Sequence, residues 1–388
     1  MRYRPDIDGL RAISVLGVLI YHLDHTWLPG GFLGVDVFFV ISGFVVTASM
    51  DGRLKSRFLA FISDFYARRL ARIIPALVTT LVITTLLDVL FMPVSWLSDQ
   101  SEGLGISAYF GLSNWILQKG QETYFTPRLD YNPYLHTWSL GVEEQFYVLA
   151  PGLLFFALQP SRSKFKSGGF VVLVLLGLAS LGFAMYATSR TPAVAFYSVF
   201  SRFFELSSGV ILYLCSAGDA SNRPRRLGGL TGFLGLALIL MSFGLADETH
   251  MPWPSSILPV CGAILFIGGV RPSEGRDPIR QLLSSAPLLW LGKRSYALYL
   301  WHWPIDVLFR WTLGLDSIGH RVMAVLLSIV AAAFSTRWIE RPLRHAAFLE
   351  KRPSGVRVLF FIAVLLAGFW CSHSLFEQRS RFSFSQVS

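Results

Sequence analysis

Residues 11–22 read Arg11-Ala-Ile-Ser-Val-Leu-Gly-Val-Leu-Ile-Tyr-His22, an apolar run with a basic residue at each end. A separation of eleven residues, at about 100° each, amounts to three helical turns plus roughly 20°. Arg11 and His22 therefore share one face of a helix and lie about 16 Å apart along its axis. Ionisable groups inside a membrane helix are costly and usually face a cavity or a partner. The spacing predicts a membrane helix with a functional basic residue near each end.

The composition of the whole chain agrees with a membrane protein. At 53% hydrophobic and 15% charged residues, with mean hydropathy +0.51, it is too apolar for a soluble chain of 388 residues. Runs that can span a bilayer, which takes about 20 apolar residues, predict an all-α polytopic integral membrane protein with a bundle of about ten to eleven transmembrane helices. These runs lie at 12–24, 33–50, 73–92, 138–159, 168–187, 193–216, 227–246, 257–270, 295–313, 320–339 and 356–376.

Basic residues set the predicted orientation. With the N-terminus inside, the inner segments carry most of the 34 Lys and Arg residues, as the positive-inside rule requires. These segments are 1–11, 51–72, 160–167, 217–226, 271–294 and 337–357. The net charge of +10 is then an asymmetry of topology. Because the basic residues are scattered over short loops, nucleic acid is not an expected partner.

Two further predictions concern residues 101–118 and the N-terminus. Residues 101–118 are apolar enough to enter a membrane, but a full crossing there would place the basic 160–167 loop outside, so we predict a re-entrant or interfacial segment. No cleavable signal peptide is expected, because Arg11 interrupts the early apolar region. The first helix would stay as a signal anchor.

The three cysteines predict neither a disulfide framework nor a metal site. Cys215, Cys261 and Cys371 lie in or at the ends of apolar runs at unrelated spacings. We therefore expect no metal cofactor.

Arg69 and Arg72 form the second motif, in Asp64-Phe-Tyr-Ala-Arg-Arg-Leu-Ala-Arg-Ile-Ile-Pro75. Residues three apart on a helix project from one face, and forked guanidinium groups suit bidentate phosphate binding. On this motif alone, contact with lipid head groups or a topology signal is the simpler explanation. Together with Arg11 on the same side, the motif favours a site for a multiply phosphorylated cytosolic ligand.

Asp36 begins the third motif, Gly34-Val-Asp-Val-Phe-Phe-Val-Ile-Ser-Gly-Phe44, close in depth to His22. A carboxylate there could orient the imidazole and stabilise its cationic form. The alternative is an Asp that caps the helix N-terminus and complements its dipole. Both roles are compatible.

The fourth motif is Asn132-Pro-Tyr-Leu-His-Thr-Trp-Ser-Leu-Gly-Val-Glu-Glu-Gln-Phe-Tyr147. Its carboxylates, amide, hydroxyl and aromatic groups fit sugar hydroxyls as well as a proton relay. Glu143 and Glu144 point about 100° apart, so only one of them can face a given cavity, and the sequence leaves open which one.

Two weaker motifs complete the set. Arg202 and Glu205 are three apart, and an intramembrane ion pair is the more economical explanation. In Ser295-Tyr-Ala-Leu-Tyr-Leu-Trp-His-Trp-Pro304, a histidine stands between two tryptophans before a proline, and the indoles could pack in the core or stack on a sugar.

Taken in order, these motifs resemble the acyltransferase-3 family of membrane O-acyltransferases, over roughly residues 5–345. The resemblance rests on Arg11-x10-His22, the Asp36 segment, Arg69-x-x-Arg72, His136 to Tyr147, Arg202-x-x-Glu205, Ser295 to His302, and Glu340-Arg-Pro342. Phe204 departs from the family pattern, which often has Trp before its Glu. Members acetylate lipopolysaccharide O-antigen, peptidoglycan and other envelope polysaccharides.

The resemblance implies transfer of an acetyl or other short acyl group from acyl-CoA to a glycan hydroxyl, across the bacterial inner membrane. It assigns catalysis to His22, and binding of the acyl-CoA donor to Arg11, Arg69 and Arg72. We add Asp36 and Glu144 as candidate catalytic residues. The acceptor residues implied are His136, Trp138, Ser139, Glu143, Gln145, Tyr147, Arg202, Glu205, Ser295, Tyr299 and His302. The rival class is a transporter or flippase, whose buried charges would line a solute path.

The implied organisation is an acyltransferase-3 transmembrane domain at 1–345, followed at 346–388 by an extra C-terminal helix and a short periplasmic tail. Many relatives with such a helix continue into an SGNH-type domain, and no Gly-Asp-Ser motif occurs in this tail. The resemblance leaves open a single-module transferase or the membrane part of a longer protein. The partners implied are the lipid bilayer, acyl-CoA and the glycan, with a periplasmic SGNH-type domain or protein in the second case.

Overall fold

The fold is described from a computed structural model. It describes residues 3–51, 53, 57–95, 97, 100–120, 122–158, 168–216, 225–246, 248–270 and 278–384, without the side chains of 225–228. The basic loop at 160–167, on which the predicted orientation depends, lies outside the described residues. So do 217–224, 271–277 and the last four residues of the tail.

The described residues are mostly helical and contain no strand. The described α-helices begin with α1 (Pro5–Leu23), α2 (Gly34–Met50), α3 (Phe58–Phe91), α4 (Ser101–Ala108), α5 (Ser113–Lys119), α6 (Thr137–Ala157), α7 (Gly168–Thr188), α8 (Pro192–Tyr197), α9 (Val199–Ser216), α10 (Arg225–Leu245) and α11 (Ile257–Gly269). They continue with α12 (Pro278–Leu283), α13 (Ala286–Gly292), α14 (Ser295–Thr312), α15 (Ile318–Ser335), α16 (Arg341–Arg344), α17 (Ala347–Glu350), α18 (Ser354–Glu377) and α19 (Arg379–Phe382).

Each predicted apolar run overlaps an observed helix. Within the described residues, six helical stretches are long and apolar enough to cross a membrane. They are Gly31–Met50, Phe58–Phe91, Gly168–Thr188, Pro192–Ser216, Ile318–Glu350 and Ser354–Glu377, and the shorter apolar helices Gly229–Leu245 and Ile257–Gly269 add to them. The prediction of an all-α polytopic membrane protein is confirmed.

The helix boundaries differ from the predicted runs at two places. α3 begins at Phe58, about four turns before the predicted start at 73, because its first turns carry Asp64, Arg68 and other polar groups that a hydropathy window rejects. The stretch at 101–118 forms two short helices, α4 and α5, and neither is long enough to cross a bilayer.

The chain divides into two compact units, one formed by Met1–Ser56 and Gln145–Ser295 and the other by Arg57–Glu144 and Tyr296–Ser388. We call them unit 1 and unit 2. The predicted division at residue 345 follows the family resemblance and stays a prediction.

Close helix packing through glycine organises unit 1. A Cβ atom added at Gly43 of α2 would collide with the backbone carbonyl of Leu206 in α9. One added at Gly209 of α9 would collide with the carbonyl of Val40 in α2. Small residues let membrane helices approach closely enough for backbone packing. This contact fixes α9, which carries Arg202 and Glu205, against α2, which carries Asp36.

Unit 2 is held by packing of the C-terminal helices against α3. Ala71 and Ile74 of α3 form a buried cluster with Leu349 of α17 and Phe361 of α18. Arg379 also donates a hydrogen bond of 3.1 Å to the buried Asp88 near the end of α3. The last described helices are therefore part of the compact unit that contains Arg69 and Arg72.

Candidate functional site

Helix α1 carries both ends of the opening motif on one continuous element of unit 1. Pro5 begins the helix, and Asp6 and Asp8 in its first turn complement the helix dipole. Arg11 forms an ion pair of 3.6 Å with Asp8, and His22 is buried in the last turn. The predicted arrangement on a single helix is therefore present.

A buried charged cluster in unit 1 centres on Arg202. Its Nη1 atom lies 3.1 Å from Oδ1 of Asp36 and 3.0 Å from Oε1 of Glu205, and it donates a hydrogen bond of 3.2 Å to the Ser256 hydroxyl. Its Nε atom donates to the Phe196 carbonyl at 3.0 Å. All three charged side chains are nearly inaccessible to solvent. The predicted i,i+3 ion pair is thus one edge of a larger cluster.

Asp36 is part of this cluster. It lies in the first turn of α2, but the N-cap residue is Leu33 and no side chain caps this helix end. Of the two local roles, dipole complementarity fits its position, whereas side-chain capping does not. Its ion pair is with Arg202, and a role in orienting His22 stays a prediction.

The remaining predicted residues of unit 1 lie in the middle of α6 and at the first residue of α14. The Tyr147 hydroxyl lies 2.8 Å from that of Ser42 in α2. Gln145 is half-buried two residues earlier in α6. Ser295 begins α14 and is fully buried, and its hydroxyl has no hydrogen-bond partner among the described residues.

Unit 2 brings together four of the predicted acceptor residues. The hydroxyl groups of Ser139 in α6 and Tyr299 in α14 lie 2.7 Å apart, and Tyr299 donates to the His136 carbonyl at 2.9 Å. The rings of His136 and His302 meet edge to face, with centroids 5.9 Å apart. Trp303 of α14 makes a further contact, because its indole donates a hydrogen bond to the Asn132 carbonyl at 2.7 Å.

His136 is the unusual member of this group. Only 1% of its surface is exposed, yet among the described residues neither ring nitrogen makes a hydrogen bond. Burial, and after it the neighbouring His302, lower the pKa of His136 well below its ordinary value. A neutral imidazole has one donor and one acceptor nitrogen, so this ring can exchange hydrogen bonds with an entering hydroxyl group.

The two adjacent carboxylates point in different directions, as their positions on a helix require. Glu144 lies against Gly111, in the turn between α4 and α5. Glu143 acts electrostatically on Tyr299, whose hydroxyl group lies beside that of Ser139. The Trp138 ring is buried against Tyr124, with centroids 6.1 Å apart. The acceptor role of Trp138 stays a prediction.

The predicted donor residues of unit 2 share the N-terminal half of α3. Arg69 lies over the Phe65 ring, with 5.9 Å between its guanidinium carbon and the ring centroid. Arg72 and Arg344 both act electrostatically on Glu340, whose Oε1 accepts a hydrogen bond of 3.1 Å from Thr336. Arg72 therefore belongs to a charged group with a second arginine.

Three residues of these clusters escaped prediction from the sequence. Ser256 accepts a hydrogen bond from Arg202, and Glu248 accepts one from Tyr21. Arg344 interacts electrostatically with Arg72. Ser256 and Glu248 lie in the loop before α11 and belong to no spaced motif. Arg344 follows the Glu340-Arg-Pro342 motif by two residues, which is the one signal that could have drawn attention to it.

The fold is that of a polytopic membrane protein, and comparison with known proteins identifies its family. The family described as "Acyltransferase domain" matches residues 4–341, so the chain belongs to the acyltransferase-3 family. This confirms the resemblance read from the motifs.

Two relatives illustrate the similarity. YrhL of Bacillus subtilis (strain 168), provisionally named a peptidoglycan O-acetyltransferase, is 32% identical over 359 residues, covering 89% of this chain and 56% of YrhL. O-acetyltransferase OatA of Staphylococcus aureus (strain MRSA252) is 33% identical over 384 residues, covering 94% of this chain and 62% of OatA. The chain thus spans less than two thirds of these relatives. No solved structure matches it significantly.

Proposed function

We propose that this chain transfers an acetyl or other short acyl group from cytoplasmic acyl-CoA to a hydroxyl group of an extracytoplasmic glycan. The observation that carries the proposal is the continuity of α1 from Pro5 to Leu23. One unbroken helix holds a guanidinium at Arg11 and a buried imidazole at His22, about 16 Å apart along its axis. The length of a pantetheine arm is of this order.

The donor end of the proposal rests on arginine chemistry. CoA is too polar to enter lipid, so its phosphates would stay with guanidinium groups near the cytoplasmic surface. Arg69 and Arg72 are three residues apart on α3, and Arg11 carries the same charge on α1. We assign these three residues to the phosphates of the donor.

The proposed chemistry uses His22 as a general base. A neutral imidazole takes the proton of the acceptor hydroxyl while the oxygen attacks the thioester carbonyl. The new C–O bond forms, the C–S bond breaks, and the proton passes to the departing thiolate to give CoA-SH. Transfer through a transient acyl-histidine is the alternative route, and it has the same overall balance.

The acceptor end is assigned to the polar groups that unit 2 gathers around His136. Two hydroxyl groups, on Ser139 and Tyr299, and two imidazoles, on His136 and His302, suit a ligand rich in hydroxyl groups. YrhL is provisionally named for peptidoglycan, which makes peptidoglycan the first acceptor to test, before O-antigen and other envelope polysaccharides.

We place the protein in the bacterial cytoplasmic membrane, with a cytoplasmic N-terminus and a periplasmic C-terminus, from the distribution of its basic residues. The relatives are longer than the matched region. An SGNH-type domain or protein that acts on the same glycan is therefore the partner to look for, as the family resemblance implies.

The test uses the full chain in proteoliposomes with radiolabelled acetyl-CoA and peptidoglycan fragments or other envelope glycans as acceptors. We expect label in the glycan and release of CoA. His22→Ala should abolish transfer, whereas His25→Ala, at an exposed histidine three residues further on, should retain it. A wild-type protein that moves glycan across the membrane without consuming acetyl-CoA would establish the flippase alternative instead.

A further inference from the structure

The loop Glu248–Ser256 joins α10 to α11 in unit 1, and side chains from three helices attach to it. Tyr21 of α1 donates a hydrogen bond of 2.8 Å to Oε1 of Glu248. The backbone N–H of Trp253 donates to the Thr188 hydroxyl at the end of α7, at 3.3 Å. Arg202 of α9 donates to the Ser256 hydroxyl. The loop is therefore fixed along its length, although no family motif includes it.

The first attachment lies beside the proposed catalytic histidine. The Tyr21 and His22 rings meet edge to face, with centroids 5.4 Å apart and planes at 62°. On its other side, the Tyr21 ring meets the buried Phe32 ring at 5.1 Å, also edge to face. Tyr21 thus contacts the Phe32 ring and the Glu248 carboxylate, and its own ring packs against the His22 imidazole.

The last attachment lies at the charged cluster. Ser256 accepts its hydrogen bond from the same Nη1 atom of Arg202 that bonds Asp36 and Glu205. One end of this short loop therefore contacts Tyr21, next to His22. The other end contacts Arg202, at the centre of the buried ion cluster. A displacement of the loop would disturb both places together.

We propose that Glu248 is a positioning residue that acts through Tyr21 to hold the His22 imidazole in the orientation required for acyl transfer. The proposal rests on the proposed function, in which His22 acts at the thioester. A hydrogen bond from a phenol to a carboxylate is charge-assisted and directional, so it limits rotation of the Tyr21 side chain. A misplacement of about 1 Å at a reacting group can cost on the order of 100-fold in rate.

The experiment measures steady-state transfer by the full chain in proteoliposomes, with acetyl-CoA and peptidoglycan fragments varied separately. Tyr21→Phe and Glu248→Ala should each lower kcat roughly 10-fold or more, with KM for acetyl-CoA within about twofold of wild type. Glu248→Gln keeps an acceptor oxygen in place and should recover most of the loss. The double variant should be no slower than the worse single variant, because both changes break the same bond.

A matched control is available in the same unit. Tyr213 donates a hydrogen bond of 2.7 Å to Oδ2 of Asp51, which gives a second phenol–carboxylate pair outside the candidate site. Tyr213→Phe should lose as much thermal stability as Tyr21→Phe and should keep wild-type kcat. Only a positioning role separates these two variants in kcat while leaving their melting temperatures alike.

The outcomes separate the two proposals. If His22→Ala is inactive but Tyr21→Phe and Glu248→Ala turn over like Tyr213→Phe, the positioning role of Glu248 is wrong and the proposed function stands. If His22→Ala keeps its activity, the catalytic assignment fails, and the positioning role fails with it. If Glu248→Ala cannot be purified, the comparison of Tyr21→Phe with Tyr213→Phe, together with the activity of Glu248→Gln, decides.

Discussion

Replacing Arg202 by Met should destabilise the protein far more than removing one of its acidic partners. Four hydrogen bonds of the guanidinium would be lost, to Asp36, Glu205, Ser256 and the Phe196 carbonyl. Two carboxylates would remain buried without their cation. Removing one partner of a buried ion pair typically costs about 3–5 kcal/mol. We expect a loss of that size for Arg202→Met.

The opposite change, Glu205→Gln, should cost much less. One guanidinium faces two carboxylates, so removal of one negative charge leaves Arg202 paired with Asp36. The amide oxygen of Gln can still accept a hydrogen bond from Nη1, and the net cost should be about 1 kcal/mol. The cluster therefore predicts an asymmetry between its cation and its anions.

Thermal unfolding of the full chain in detergent measures this asymmetry, with both variants prepared in parallel with wild type. The fall in melting temperature should be several times larger for Arg202→Met than for Glu205→Gln. Equal shifts, or a larger shift for Glu205→Gln, would refute the reasoning, because they would mean that the buried carboxylates do not depend on Arg202.

Three further predictions follow from the proposed function. His22→Ala should leave less than about a tenth of wild-type turnover, since loss of a general base typically costs 10²-fold or more. Arg69→Ala and Arg72→Ala should each weaken CoA binding by about 1.5–3 kcal/mol in isothermal titration, with acceptor recognition unchanged. In a background without native cysteines, Thr123→Cys should react with an impermeant maleimide in intact cells, whereas Arg352→Cys should stay protected.

The prediction on CoA binding has a control in the chain. Arg68→Ala removes a guanidinium that already pairs with Asp64 on the same helix, so CoA affinity should change little. Equal losses for Arg68 and Arg72 variants would point to a general effect of charge. Correct insertion is checked by labelling: protection at position 123 would make 101–118 a true crossing and would remove His136 from the proposed acceptor side.

Helix content could be predicted because lipid imposes a strong constraint on the sequence. A run of about 20 apolar residues must be helical to satisfy its backbone within the membrane, and each predicted run overlaps a helix. The start of α3 was missed because hydropathy does not detect a helical segment that carries polar residues. Residues 58–72 are helical but carry polar groups, and hydropathy detects burial in lipid, not helical backbone.

The local pairs could also be predicted, since helix geometry alone places residues three or four apart on one face. Arg202 and Glu205 form the ion pair that their spacing indicates. The contacts of Ser139 with Tyr299 and of Arg202 with Ser256 join positions far apart in the chain. No spacing rule connects such residues, so only the packing of the helices brings them together.

The partners of Arg202 that prediction missed have a common physical origin. The buried Arg202 guanidinium has five N–H donors, and the carboxylates of Asp36 on α2 and Glu205 on α9 do not satisfy all of them. Arg202 therefore takes further acceptors from whatever lies near, a hydroxyl of the α10–α11 loop and the carbonyl of Phe196. These partners are chosen by geometry and not by residue type, so they leave no pattern in the sequence. The same requirement makes them informative, because a loop that completes the solvation of a buried charge cannot move without exposing that charge to an apolar surrounding.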